Sequence, residues 1–245
     1  MKKFGCMVLG LCMCMGLLAG CGKTVESESS VVYVEENGAV ISLDVEELAQ
    51  DYYDAEELEN FVNDAVSEYT EEHGRNSVKV QELKVEEGTA RLQMKYKTTA
   101  DYSAFNGIEL YQGKVIDSLA AGYVFDGEFA RVEDGKVIGA ATKQEIYAED
   151  DLKVVIIRAN TDVQVDGQIC YISCENVELT GTNSVSIREG YYTDTGSKVP
   201  PVNMTPDEAV DATEELMSTE MVEIPVEIPD DGSFETEVYT FIVYK

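Results

Sequence analysis

Glycine follows a polar or acidic residue at short intervals through this chain, and the segments between these points are rich in Val, Ile, Tyr and Phe. The dipeptides are Asn37-Gly38, Glu87-Gly88, Asn106-Gly107, Gln112-Gly113, Asp126-Gly127, Asp134-Gly135 and Asp166-Gly167. Glycine takes positive φ at little cost and Asn and Asp tolerate it, so each dipeptide reads as a tight turn. Parallel neighbours need crossovers of about a dozen residues or more, so a chain punctuated this way is confined largely to antiparallel pairing. The sequence therefore predicts an α+β fold, mostly antiparallel β.

Taken in order, residues 31–34 and 39–43 flank Asn37-Gly38 and predict a hairpin on a type I′ turn. A helix follows over 54–73. Asp54 and Glu57 have capping-box spacing, and Leu58, Phe61, Val62, Ala65, Val66 and Tyr69 recur with helical period. Glu56, Glu59, Asn60, Asn63, Asp64 and Glu68 make the opposite face polar. His73, the only histidine, falls in the last turn, where a cation suits the helix dipole, and Gly74 stops the helix. Residues 78–85 and 90–96 repeat the hairpin pattern around Glu87-Gly88, completing a ββαββ unit with the helix laid across its sheet.

From Asp101 onward the turns predict a meander, interrupted by a short helical turn over 117–121. Residues 152–165 and 168–174 flank Asp166-Gly167 as a long hairpin. The unbroken apolar run Val154-Val155-Ile156-Ile157 predicts a strand covered on both faces. Strands over 176–179 and 184–187 come next. Thr205, with Pro206 and Glu208, starts a short peripheral helix, and 237–244 is a closing strand dense in β-branched and aromatic residues. The domain reading is an N-terminal ββαββ lobe, 31–141, and a hairpin-rich β lobe, 142–245, with polar 142–151 as the seam. One continuous domain, 31–245, is the alternative that the sequence leaves open.

The first twenty residues read as a leader. Met1-Lys2-Lys3 precedes an apolar run over 4–18, which as a helix of about 1.5 Å per residue reaches roughly 22 Å. That is short of the roughly 30 Å hydrocarbon core of a bilayer. Leu18-Ala19-Gly20-Cys21 then resembles the lipobox of bacterial lipoproteins. The resemblance implies cleavage before Cys21, a thioether from its thiol to a diacylglycerol with palmitate-type acyl chains, Cys21 as the new N-terminus, and anchorage to the outer side of the cell membrane. Residues 22–30 are small and polar and extend Cys21 into a flexible tether, 21–30. Tyr52-Tyr53-Asp54 with Glu57-Leu58, Asp101-Tyr102 with Phe105-Asn106-Gly107, and the closing Phe241-Ile242-Val243-Tyr244-Lys245 also resemble uncharacterised surface lipoproteins of Gram-positive type bacteria. That resemblance implies no activity.

Forty-eight acids against 18 bases give a formal charge of −30, and the leader would remove two lysines and no acid. Such a field, taken over the whole chain, repels nucleic acid and anionic lipid head groups alike and leaves a basic partner, weak diffuse cation binding or plain solubility. A hydrophobic share of 44% argues against disorder. Beyond the leader and Cys21 only Cys170 and Cys174 remain. Four residues apart in a strand they sit about 13 Å from one another, so they read as buried small hydrophobes, with a strained or helical-turn disulfide as the alternative. With no His or third Cys near them they are poor evidence for zinc. The sequence holds no serine-hydrolase elbow, no zinc-peptidase motif and no phosphate-cradling loop. Asp150-Asp151, Glu35-Glu36 and Asp230-Asp231 read as solvated loop charges. No catalytic, cofactor or metal-binding residue is assigned.

Three functions are ranked on this basis. The first is a non-enzymatic binding or envelope-assembly protein held to the membrane through Cys21. The second is a glycan or small-ligand module with Tyr52, Tyr53, Tyr191 and Tyr192 as aromatic contacts. The third is a glycoside hydrolase using two carboxylates held across a cleft.

Overall fold

The structure is a computed structural model, and it describes residues 25–48, 54–86, 88–196 and 238–245. The fold is mixed α+β with mostly antiparallel sheets. In chain order the strands are β1 (Val31–Val34), β2 (Val40–Glu47), β3 (Val78–Glu86), β4 (Thr89–Tyr96), β5 (Leu110–Lys114), β6 (Phe129–Glu133), β7 (Lys136–Ala141), β8 (Lys153–Ile157), β9 (Asp162–Val165), β10 (Ile169–Ser173), β11 (Glu175–Leu179), β12 (Ser184–Tyr192) and β13 (Thr240–Tyr244). The helices are α1 (Ala55–His73), α2 (Thr99–Asn106), α3 (Val115–Ala120) and α4 (Lys143–Tyr147).

The strands form two sheets. The seven-stranded sheet has the order β11-β12-β9-β1-β2-β4-β3, and the six-stranded sheet has the order β5-β8-β13-β10-β6-β7. Only the β1–β9 pair is parallel among the described strands. Val32, Val34, Val163, Val165 and Val185 of the first sheet meet Val155, Ile157, Ile172 and Ile242 of the second in one buried cluster, so the sheets pack face to face. Where the first sheet extends past the second, α1 and α2 cover it, with Val62 and Tyr102 against Val78, Met94 and Tyr96. Strands from both sides of residue 142 share each sheet, and 142–151 contains α4.

The outer face of the six-stranded sheet carries a second core. Val154, Ile156, Phe241, Val243, Phe129 and Tyr171 pack there against Val115, Phe125 and Ile146 from α3, α4 and the loop between α3 and β6. Strand β8 is thus buried on both faces, as its unbroken apolar run predicts, and β13, buried at every position, lies centrally between β8 and β10.

Several local expectations change. Asn37 is not among the positive-φ residues. Glu35, Asn37 and Gly38 (φ 85°) close the first hairpin with Gly38 N–H donating to the Glu35 carbonyl and Ala39 N–H to Asn37 Oδ1. That turn is therefore type I followed by a glycine bulge. The type I′ geometry occurs instead at Asp134 (φ 49°) and Gly135 (φ 72°), between β6 and β7. Asn106-Gly107 ends a helix rather than a hairpin: Thr98 caps the start of α2 and Gly107 (φ 69°) its end, because a left-handed glycine serves a helix C-cap as well as a turn. Gln112-Gly113 lies inside β5. Asp166-Gly167 joins β9 in one sheet to β10 in the other, so these two strands do not pair. In α1, Asp54 accepts from the Glu56 and Glu57 amides, but Phe61 is 72% exposed and Val62 is the buried anchor. The 205–217 helix lies outside the described residues.

Residues 25–30 lie across the outer face of the seven-stranded sheet. Val25 N–H donates to Gln93 Oε1 (3.0 Å), Arg91 donates to the Ser27 carbonyl, and Ser29 Oγ donates to Asp162 Oδ2 (2.7 Å). Val45 N–H donates to Ser30 Oγ (2.9 Å). This strap is the second half of the segment expected to be a tether.

Candidate functional site

At the β5–β8–β13 end of the six-stranded sheet, pairing continues one row beyond the strands. Leu110, Ile157 and Thr240 are the last paired row, and Arg158 N–H still donates to the Glu109 carbonyl at 3.0 Å. Alternation along each strand puts Glu109, Arg158 and Tyr239 on the outer face, next to Tyr111, Ile156 and Phe241. Tyr123, just after α3, closes over this row. Its ring centroid lies 5.0 Å from Tyr111 and 5.9 Å from Tyr239.

Glu109 ties the group together. Tyr239 OH donates to Glu109 Oε2 at 2.6 Å and Tyr123 OH to Glu109 Oε1 at 3.2 Å, while the Arg158 guanidinium stands 5.8 Å from the Tyr239 ring centroid. Burial, followed by the Glu109 charge, pushes the Tyr123 phenol up to about 12. The hydrogen bond to Glu109 raises Tyr239, and burial with the Asp117 charge raises Tyr111. All three phenols therefore stay protonated, with two of them held as fixed donors to one carboxylate. The surface that results offers tyrosine faces and edges at three tilts beside one guanidinium. Its chemistry is that of an aromatic contact site with polar fixing points.

A groove of about 290 Å³ lies along the same loop, lined by Phe125, Asp126, Glu128, Phe129, Lys143 and Thr195. Phe125 is its floor, fully buried against Phe129 (5.7 Å) and Phe241 (4.6 Å). A shallower hollow of about 510 Å³ opens over Asp166-Gly167-Gln168 and Thr182-Asn183, where the chain crosses between sheets.

Cys21, Tyr52 and Tyr53 lie outside the described residues. Tyr191 and Tyr192 are consecutive at the end of β12: Tyr191 is exposed, whereas Tyr192 packs against the core between the sheets. Consecutive strand residues point to opposite faces, so these two rings are not brought together. Cys170 is a half-buried free thiol and Cys174 a buried one whose pKa burial pushes up to about 12. His73 stacks on Tyr69 at 4.1 Å. Glu35 and Glu36 pair separately with Lys95 (3.0 Å) and Lys153 (2.8 Å). Among the described residues no group of three or more His, Cys, Asp or Glu is placed to hold a metal ion, and no helix is long and apolar enough to cross a membrane.

Glu109, Tyr123, Arg158 and Tyr239 escaped sequence reading because strand register alone brings them together. The available signal was weak: an aromatic or charged residue directly abutting each of three apolar strands. Comparison with family models, curated proteins and solved structures finds no match.

Proposed function

We propose that this chain is a lipid-anchored extracytoplasmic surface protein that binds a partner and carries out no reaction of its own. The observation that carries the location is Leu18-Ala19-Gly20-Cys21 directly behind a charged and then apolar leader. Two acyl chains on one N-terminus give durable anchorage where a single chain gives only marginal binding. Mass spectrometry of the N-terminal peptide from membrane-fractionated protein tests this. A diacylglyceryl-modified Cys21 as first residue is expected, and an unmodified Cys21 in a soluble fraction overturns it.

Within that role the Tyr111–Tyr123–Tyr239 row favours a carbohydrate or comparable polyol ligand. Ring faces stack on the C–H faces of sugars, while Glu109 and Arg158 supply acceptor and donor groups beside them. Isothermal titration against cell-surface polysaccharide is the test. Tyr239→Ala with Tyr123→Ala should weaken binding at least about tenfold, the effect of losing two aromatic anchors. Unchanged affinity in a folded double variant would remove the row from the function.

A further inference from the structure

The strap over residues 25–30 fixes where the N-terminal segment leaves the domain. Val25 is held to Gln93 and Ser27 to Arg91, so the chain departs over the outer face of β4, beside β3. Only four residue steps separate Cys21 from Val25, a fully extended reach of about 14 Å. That is less than two Debye lengths at physiological salt, each about 8 Å, so whichever face lies below the strap is within electrostatic range of the lipid.

That face differs from the side of the same strands that α1 covers. Register places Lys79, Lys84, Arg91 and Lys95 together on the outer side of β3 and β4, with Lys97 just beyond. Among them stand Glu82, paired with Lys84 at 2.8 Å, Glu35, paired with Lys95 at 3.0 Å, and Glu47 and Glu86. The strap adds Glu26 and Glu28. Charge there is close to balanced, in a chain whose overall charge is −30. On the opposite side of the same two strands, α1 carries Glu56, Glu57, Glu59, Asp64, Glu68, Glu71 and Glu72 with no Lys or Arg.

From this asymmetry we infer that the outer face of the β3–β4 hairpin is the membrane-facing side of the domain, resting on an anionic phospholipid surface with α1 turned away. The inference rests on the anchor reading above. Turning α1 toward the same lipid would set seven carboxylates against anionic headgroups. The strap face sets five cations against six carboxylates there, a nearly neutral surface, and the anchor already holds it close.

Amine footprinting of the full chain on vesicles reads this directly, using phosphatidylcholine with and without phosphatidylglycerol and a water-soluble acylating reagent. Lys79, Lys84 and Lys97 should lose reactivity about fivefold on the anionic vesicles, the factor one cation carries at such a surface, while Lys136 and Lys143 keep theirs. K79E/K97E should abolish the difference between the two vesicles, and K136E/K143E should leave it intact. The N-terminal peptide of the same sample reports lipidation separately. Lipidated protein without selective protection overturns the inference while the anchor stands. Unlipidated protein is added freely to the same vesicles: selective protection then keeps the face although the anchor reading falls, and none overturns both.

Discussion

The two sheets share one inner core and differ on their outer faces. The six-stranded sheet is covered by α3, α4 and the loop carrying Phe125, and its outer side is a second apolar core. Among the described residues, the strap is the segment that crosses the outer side of the seven-stranded sheet. There, buried Val31, Tyr33, Ile41 and Leu43 adjoin polar Gln93, Asp162 and Ser186. Helices carrying large apolar side chains close the first face, whereas the strap on the second is fixed by scattered hydrogen bonds. Stability should therefore concentrate in one sheet and adjustability in the other.

The contrast breaks if the two faces respond alike to mutation. Phe241→Ala removes a ring packed on Phe125 at 4.6 Å and should cost about 3–5 kcal/mol in denaturant unfolding, with Phe125→Ala close behind. Arg91→Ala with Gln93→Ala, which removes the strap's two hydrogen bonds at Val25 and Ser27, should cost about 1–2 kcal/mol. It should also raise hydrogen exchange at Val25 without changing β8. Equal costs at the two faces would end the distinction.

A smaller effect should appear in alkali. Tyr123 in the folded protein titrates near 12, above the unfolded value of about 10. The folded state thus holds that proton more tightly, and the resulting stability is complete below about pH 10 and is lost as pH rises toward 12. Glu109→Gln should lower the Tyr123 titration, followed by phenolate absorbance, without abolishing the shift, because burial is its first cause. Smallest of all, Phe61→Ser should change stability by no more than about 0.5 kcal/mol, since the ring is 72% exposed. A large loss would mean that α1 packs through the stripe centred on Phe61.

The same contrast decides what could be read from the sequence. Strand β8 announced itself because a strand covered twice needs no polar residue, and α1 because Asp54 and a 3.6-residue period agree with one another. Phe61 belongs to that period, but the sheet beneath α1 takes up Leu58, Val62, Val66 and Tyr69 and leaves the neighbouring row outside. Turn glycines were legible as requirements for positive φ at Gly38, Gly107 and Gly135 but not at Gly113, Gly127 or Gly167, and their composition did not give topology. Gly107 ends a helix, and Asp166-Gly167 links two sheets, although each has the composition of a hairpin turn. Helix α4 carried a full signal: Thr142 and Glu145 form a reciprocal capping box inside a stretch read as a polar seam. The candidate site was the least legible part, because Glu109, Arg158 and Tyr239 become neighbours only through the pairing of β5, β8 and β13.

The central place of β13 carries a kinetic consequence. Strands β8 and β10 both hydrogen-bond to residues 240–244, which lie far from them along the chain. Until that segment arrives, each of these strands has an unfilled edge flanked by apolar side chains, a state prone to pairing with other molecules. Closure of the six-stranded sheet is therefore a late, long-range event, and folding should be slow relative to a domain built from hairpins alone. Gly167 sits against the Lys245 carbonyl so closely that a methyl group there would collide with it. The slot for β13 is thus gauged at its end by a residue with no side chain, which penalises any register but one.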